Sequence, residues 1–472
     1  MVGQNEYLST LGLFNRMKAR LHSSQPPTSG APPDLTIISR HAVRLFAVVY
    51  FITNIYENLL QGILRRKPLS LFLRDLRSLS SFRLAAFISA YSVTYRALLR
   101  TFNRAQLYLA DSTPSSIPSN ALSSTARRMQ ASPRLAPFLA GVIASPTMLL
   151  EGRGQRRVTL ALYTLTKAIQ GGWEGIARKG ALPRALREGR WWWGGHLIFA
   201  VSNAVLLHAF VFQPSTFPAA YSSFILKRSR NHLPSLPSSY PPSTPWPSPR
   251  QIVDGITIAA RRKWPPFVTP IFHPNLKDAA AAHLLPNLQP ILAESHPGHR
   301  HLTCAFLHPA ELSCWNVFET FIKDQFGAAA KFFGVLSLLG TALRWRKFTK
   351  DPESGVYHAV ASTITSSAFV SLSIGTAWST ICLFQAYLPR SFLPTRRFYI
   401  QGFLAGLWVS LVNFGAGGAS RATDLGMYAA RLAIQCFWEG RVKRGKIRNI
   451  RNGEVIYFAL SMGALMSIYE AR

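Results

Sequence analysis

Six donor side chains crowd one stretch of this 472-residue sequence. Cys304, His308 and Cys314 lie close together, and His296, His299 and His301 stand just upstream. Thiolate and imidazole are zinc's preferred ligands, and four such donors can enclose it. The spacing fits no familiar zinc module. The same two cysteines could instead form a disulfide, or the block could simply open a helix; the sequence leaves metal, disulfide and structural roles open. Cys382 and Cys436 lie in apolar segments and read as core residues. His273 and Asp278 have the His-x4-Asp spacing of glycerolipid acyltransferases, where a carboxylate orients a histidine base. That spacing is short, and no acyltransferase phosphate-binding block follows it. No phosphate-cradling glycine loop or nucleophile–base pair stands out elsewhere.

A second set of polar residues lies inside apolar segments. Asp424, Arg431 and Gln435 are spaced i, i+7 and i+11, on one side of a helix, and Lys167 and Gln170 sit in a similar earlier segment. Ionisable groups are costly in hydrocarbon and usually face a bundle or water. They would line a polar or partner-binding face, lie at an interface, or form an Asp424–Arg431 ion pair.

The elements that must position these residues are apolar. Hydrophobic residues make up 48% of the chain and charged residues only 15%, well below the share in soluble domains. Apolar segments cover roughly 42–64, 84–101, 135–150, 158–173 and 194–213, then 327–344, 359–388, 398–415, 421–438 and 453–470. A spanning helix needs about 20 apolar residues, so eight to ten spans are expected. The net charge of +33 arises from 53 Lys and Arg against 20 Asp and Glu. These cations flank apolar segments, which suits anionic headgroups better than nucleic acid.

The two sets of segments match. A shift of 265 residues places Phe138-Leu139-Ala140-Gly141 on Phe403-Leu404-Ala405-Gly406, Ala168-Ile169-Gln170 on Ala433-Ile434-Gln435, and Trp173-Glu174-Gly175 on Trp438-Glu439-Gly440. Small residues recur every fourth position: Gly402, Gly406 and Ser410; Ala136, Ala140 and Ala144, with Gly141 and Ser145 alongside; Ser371, Gly375 and Ser379; Ala459, Gly463 and Ser467. Such stripes let helices approach closely in lipid. The expected fold is an all-α membrane protein of two repeated bundles, each of four to five helices packed through small residues. A flexible segment over 1–40 precedes a first membrane repeat over 41–213. A Pro/Ser-rich polar linker with short helices fills 214–300, and the Cys/His-Pro block and second repeat fill 301–472.

The repeat and these blocks together resemble the transmembrane protein 135 family. The second copy carries Cys304, His308-Pro309, Ser313-Cys314, an apolar segment ending in Arg346-Lys347, and Arg451-Asn452-Gly453-Glu454-Val455. Phe82 to Arg100 and Phe138 to Gln170 look like the family's other repeat. The cysteine block stands in the second copy here and in the first copy of animal members. The resemblance implies an integral protein of mitochondrial or peroxisomal membranes, linked to organelle dynamics and lipid metabolism. It also implies distant kinship with the mitochondrial inner-membrane protein-translocase superfamily. No catalytic residue carries over. The expectation is a non-enzymatic translocator or transport scaffold that supports lipid or energy metabolism and has no cofactor. Its partners would be the bilayer, anionic headgroups, and further copies or a membrane complex, without nucleic acid. The alternative is a membrane-bound lipid-modifying enzyme using His273 and Asp278, or a metal at Cys304, His308 and Cys314.

Overall fold

The structure, a computed structural model, describes residues 35–65, 79–111, 134–178, 194–229, 232–234, 236, 245–269, 285–414 and 418–470. Over these residues the fold is all-α. The helices are α1 (Leu35–Arg65), α2 (Leu79–Asp111), α3 (Leu135–Ala144), α4 (Gln155–Arg178), α5 (Gly195–Phe212), α6 (Ala219–Arg228), α7 (Pro249–Arg261), α8 (Gln289–Ala293) and α9 (Leu302–Leu307). They continue as α10 (Cys314–Leu343), α11 (Trp345–Phe348), α12 (Pro352–Tyr387), α13 (Arg397–Leu407), α14 (Gly418–Lys443) and α15 (Gly453–Glu470). Among the described residues the one β-bridge pairs Pro266 with His301.

Local chemistry sets several boundaries. The α10 helix opens at Ser313, whose hydroxyl accepts from the Asn316 N–H. The α12 helix opens at Asp351, whose carboxylate accepts from the Ser354 N–H, with Pro352 first in the helix and Glu353 on its positive end. Pro249, in the Pro/Ser-rich linker, begins α7 behind a Ser248–Gln251 capping box. A proline costs nothing at the first helical position, where its missing N–H would have no intrahelical partner.

Three described helices are long and apolar enough to cross a membrane: α5, α10 and α12. This is fewer than the eight to ten expected from apolar segments, for physical reasons. The α3 and α13 helices run only 10 and 11 residues before tightening into 3-10 turns over Ser145–Leu150 and Trp408–Phe414. Pro146 stands at the start of the first turn. Charges interrupt α4 at Lys167 and α14 at Asp424 and Arg431.

The chain divides into two compact units. One contains α1 to α4 together with α15. Here α15 packs on α3 and α4, and α2 packs on α1 and α3. Phe87, Tyr91, Tyr95, Met148 and Phe458 fill its core, and the Phe458 ring meets Phe87 edge-on at 5.6 Å. A Cβ on Gly141 would lie 3.0 Å from the Gly463 Cα, so two backbones touch there. Arg157, nearly buried, donates to the carbonyls of Glu151 at 2.8 Å and Leu149 at 3.0 Å, and pairs with Glu454 at 3.4 Å.

The other unit contains α5 to α14. The α5 helix packs on α13 and α14, and α10 packs on α12. A Cβ on Gly406 would lie 2.6 Å from the Ala200 Cα, and one on Gly402 would lie 2.7 Å from the Asn203 carbonyl oxygen. Asn203 Nδ2 donates to the Gly402 carbonyl at 2.8 Å. Gly375 sits on α12 where α10 presents Phe318, Phe321 and Ile322. An apolar core built on Ile252, Ile256, Leu288, Ile291, Phe306 and Phe398 binds α7 to α9 onto these helices. Fully buried Arg397 donates to the carbonyls of Phe392 at 2.8 Å and Pro389 at 3.1 Å, and stacks over Trp264 at 5.1 Å.

Candidate metal centre

Antiparallel packing of α10 and α12 builds the site. Thr363 Oγ1 donates to Ser337 Oγ at 3.0 Å, and Gly375 faces the Phe318 turn, so the start of α10 lies beside the end of α12. Cys314 is the first residue of α10, and Cys382 stands six positions from the last residue of α12, Tyr387, by inclusive count. The short α9 covers this end and supplies Cys304 from its interior and His308 from its C-terminus. A buried hydrogen bond from Gln385 Nε2 to Thr303 Oγ1 ties α12 to α9 beside the cysteines.

The four donor atoms of Cys304, His308, Cys314 and Cys382 all lie within 4.8 Å of one another. The sulfurs of Cys304 and Cys314 are 4.0 Å apart. His308 Nε2 lies 3.5 Å from the Cys314 sulfur and 3.6 Å from that of Cys382. A tetrahedral zinc site has Zn–S bonds of about 2.3 Å and Zn–N bonds of about 2.0 Å, giving S–S edges of about 3.8 Å and S–N edges of about 3.5 Å. These three edges match within a few tenths of an ångström and the other three are no longer than 4.8 Å, so the donor set fits zinc. All four cysteines of the chain are free thiols.

The surroundings fix the ligands. His308 Nδ1 lies 2.6 Å from the Glu311 carbonyl oxygen. A carbonyl can only accept, so Nδ1 carries the hydrogen and the neutral ring turns its Nε2 lone pair to the sulfurs, as a metal ligand requires. Glu311 also accepts the Ser313 N–H at 2.9 Å, which shapes the turn into Cys314. His299 meets the His308 ring edge-on at 5.3 Å and donates from Nε2 to the Pro309 carbonyl at 3.2 Å. Burial pulls the His308 imidazole down, but hydrogen bonding with the Cys304 and Cys314 sulfurs outweighs it, and its pKa is pushed up to about 10. A metal ion bound there would displace the Nε2 proton. Burial and the His308 charge lower the pKa of His299.

Cys304, His308 and Cys382 are buried, whereas Cys314 is half-exposed. Four protein ligands close a zinc site, and a catalytic zinc needs an open position. Cys314, at a helix start behind an exposed loop, is the ligand best placed to yield one.

The structure brings Cys304, His308 and Cys314 together and adds Cys382, which by sequence reads as a core residue. Its only sequence signal is a thiol near the end of an apolar segment. His273 and Asp278 lie outside the described residues. Lys167 Nζ donates to Gln170 Oε1 at 3.0 Å, and Gln170 donates to Glu174 at 3.2 Å. Gln435 donates to Glu439 at 2.7 Å, while Arg431 donates to the Met427 carbonyl at 3.1 Å and lies over the Tyr428 ring. Asp424 lies on α14 three residues after Arg421. Ser145 donates to the Gly141 carbonyl at 2.7 Å, and Ser410 is half-buried in the second 3-10 turn.

This ligand cluster corrects the functional expectation. A purely non-enzymatic translocator or scaffold does not account for a compact Cys/His set that could hold a metal ion. No family model matches the chain. No solved structure matches it. What stands is a membrane-associated helical protein with a metal-ligand cluster.

Proposed function

We propose that the chain is a membrane-bound, metal-dependent enzyme that modifies lipids, with zinc held by Cys304, His308, Cys314 and Cys382. The observation that carries this reading is the match between the donor separations and a zinc tetrahedron. Zinc in such a site polarises a carbonyl or phosphoryl oxygen and activates water. Cys304, His308 and Cys382, being buried, would hold the ion, and the less buried Cys314 would be the ligand to give way to substrate. The centre lies where α10 begins and α12 ends, both helices long enough to cross a bilayer, which favours amphiphilic esters over soluble substrates. The test uses the full chain purified in detergent. About one zinc per chain is expected, lost in Cys304→Ser. Release of fatty acid from short-chain phospholipids should stop with a chelator and resume with zinc. Absence of bound metal overturns the centre; bound zinc without zinc-dependent turnover overturns the catalysis.

We further infer two repeated bundles in which each copy's last helix completes the other's bundle. Three observations support this. Both α3 and α13 tighten into 3-10 turns. Gln170–Glu174 and Gln435–Glu439 make the same bond. The α5 helix packs on α13 and α14, while α15 packs on α3 and α4. In this reading Gly141, Gly402, Gly406 and Gly463 are the close-approach points, Gly375, Ser145 and Ser410 lie along the same stripes, and Lys167, Gln170, Asp424, Arg431 and Gln435 form the polar faces. The sequence blocks around Cys304 and Asn452 support kinship with the transmembrane protein 135 family, and with it a mitochondrial or peroxisomal membrane.

A further inference from the structure

A cavity of about 340 Å³ opens between the end of α5, the start of α13 and the end of α14. Arg396, Arg441, Arg444 and Lys446 line it, and among the described residues its wall contains no carboxylate. Four like charges around one space repel one another, and a bound anion relieves that repulsion. The contacts of two of these cations are to neutral groups. Arg441 lies over the Phe437 ring at 4.9 Å, and Arg444 Nε donates to the Gly440 carbonyl at 2.8 Å. Neither partner carries charge.

The remaining wall is built to hold its shape. His208 on α5 stacks flat on Tyr399 of α13, with ring centroids 4.3 Å apart and planes 9° from parallel. Tyr399 lies in the first turn of α13, whose positive end borders the cavity, while α5 and α14 bring their negative C-terminal ends to it, so the cationic side chains set its field. Val205, Ala209 and Phe437 give the cavity one apolar side. Arginine forks match the oxygens of a phosphoryl group in pairs. The volume lies at the low end for small-molecule sites and suits a phosphorylated head rather than a whole lipid.

We propose that this cavity binds a phosphate monoester, its oxygens held by Arg396, Arg441 and Arg444 and its organic part against Val205 and Phe437. The same chemistry is offered by an anionic phospholipid headgroup and by a soluble organic phosphate. The site is separate from the cysteine cluster, so zinc content reports folding independently. The test measures binding of dioctanoyl phosphatidic acid, glycerol 3-phosphate and inorganic phosphate to the full chain in neutral detergent. The single variant Arg444→Gln should weaken the bound ligand about ten-fold or more, and Arg396→Gln with Arg441→Gln should abolish binding, with zinc content unchanged. Binding of phosphatidic acid alone assigns the headgroup, and equal competition by glycerol 3-phosphate assigns a soluble phosphate. If none of the three probes binds, or if Arg444→Gln binds as wild type, the proposal fails.

Discussion

Cys382 shows what a single residue can conceal. Cys304, His308 and Cys314 announce themselves by proximity in the chain, but Cys382 is indistinguishable from a packed core thiol until α12 is known to return beside α10. Three donors were therefore legible, and the fourth, which makes the set a tetrahedron, was not. Cys382→Ser should reduce zinc content as severely as Cys304→Ser, measured on purified protein, whereas Cys436→Ser should leave it unchanged. His232 supplies a second residue-scale expectation. Its ring is buried against Phe321 and Trp378, at centroid distances of 4.3 and 5.9 Å. Burial, helped by the His308 charge, lowers its pKa from 6.5 to about 3. The unfolded chain takes up this proton near pH 6.5 and the folded chain does not. Stability from this residue is thus complete above pH 6.5 and falls as the pH drops toward 3, by up to about 1.4 kcal/mol per pH unit. In thermal melts between pH 7 and pH 5, His232→Phe should show a flatter decline than the wild type.

Elements were easier to find than to characterise. Apolar runs located most helices because a bilayer-length helix must be apolar over many residues. They overstated the spans because a run records hydropathy without the charges and 3-10 turns that limit α4, α14, α3 and α13. The small-residue stripes were readable, and the helices that face them were not, since periodicity marks a face without naming its partner. At Gly406 a side chain would meet the Ala200 backbone of α5, which has no rotamer to yield. Gly406→Leu should therefore lower the melting temperature sharply and reduce the folded yield. Leu404→Ala, at an exposed position on the same helix, should cost well under about 1 kcal/mol. Equal losses would mean that α13 and α5 do not meet through Gly406.

The whole molecule depends on which helix joins which unit. The α15 helix lies against α3 and α4 through Gly463 and Phe458, and Glu454 at its first turn meets Arg157. Removing residues 453–472 should expose α2, α3 and α4 to hydrogen exchange while the α5 to α14 unit keeps its protection. A matched loss of protection in both units would contradict the division. The internal sequence match could not reveal this arrangement, because similarity between two segments says nothing about which helices touch. The arrangement also imposes an order in time. Residues 35–178 are synthesised before α15 exists, and the entire second unit must be made in between. During that interval Gly141 and the aromatic residues of α2 have no α15 to meet. The early helices must wait, exposed to lipid or to a chaperone, and the long chain separation makes their closure slow. A ribosome stalled before Gly453 would release a chain whose metal-ligand residues are all present but whose first helices have no final partner.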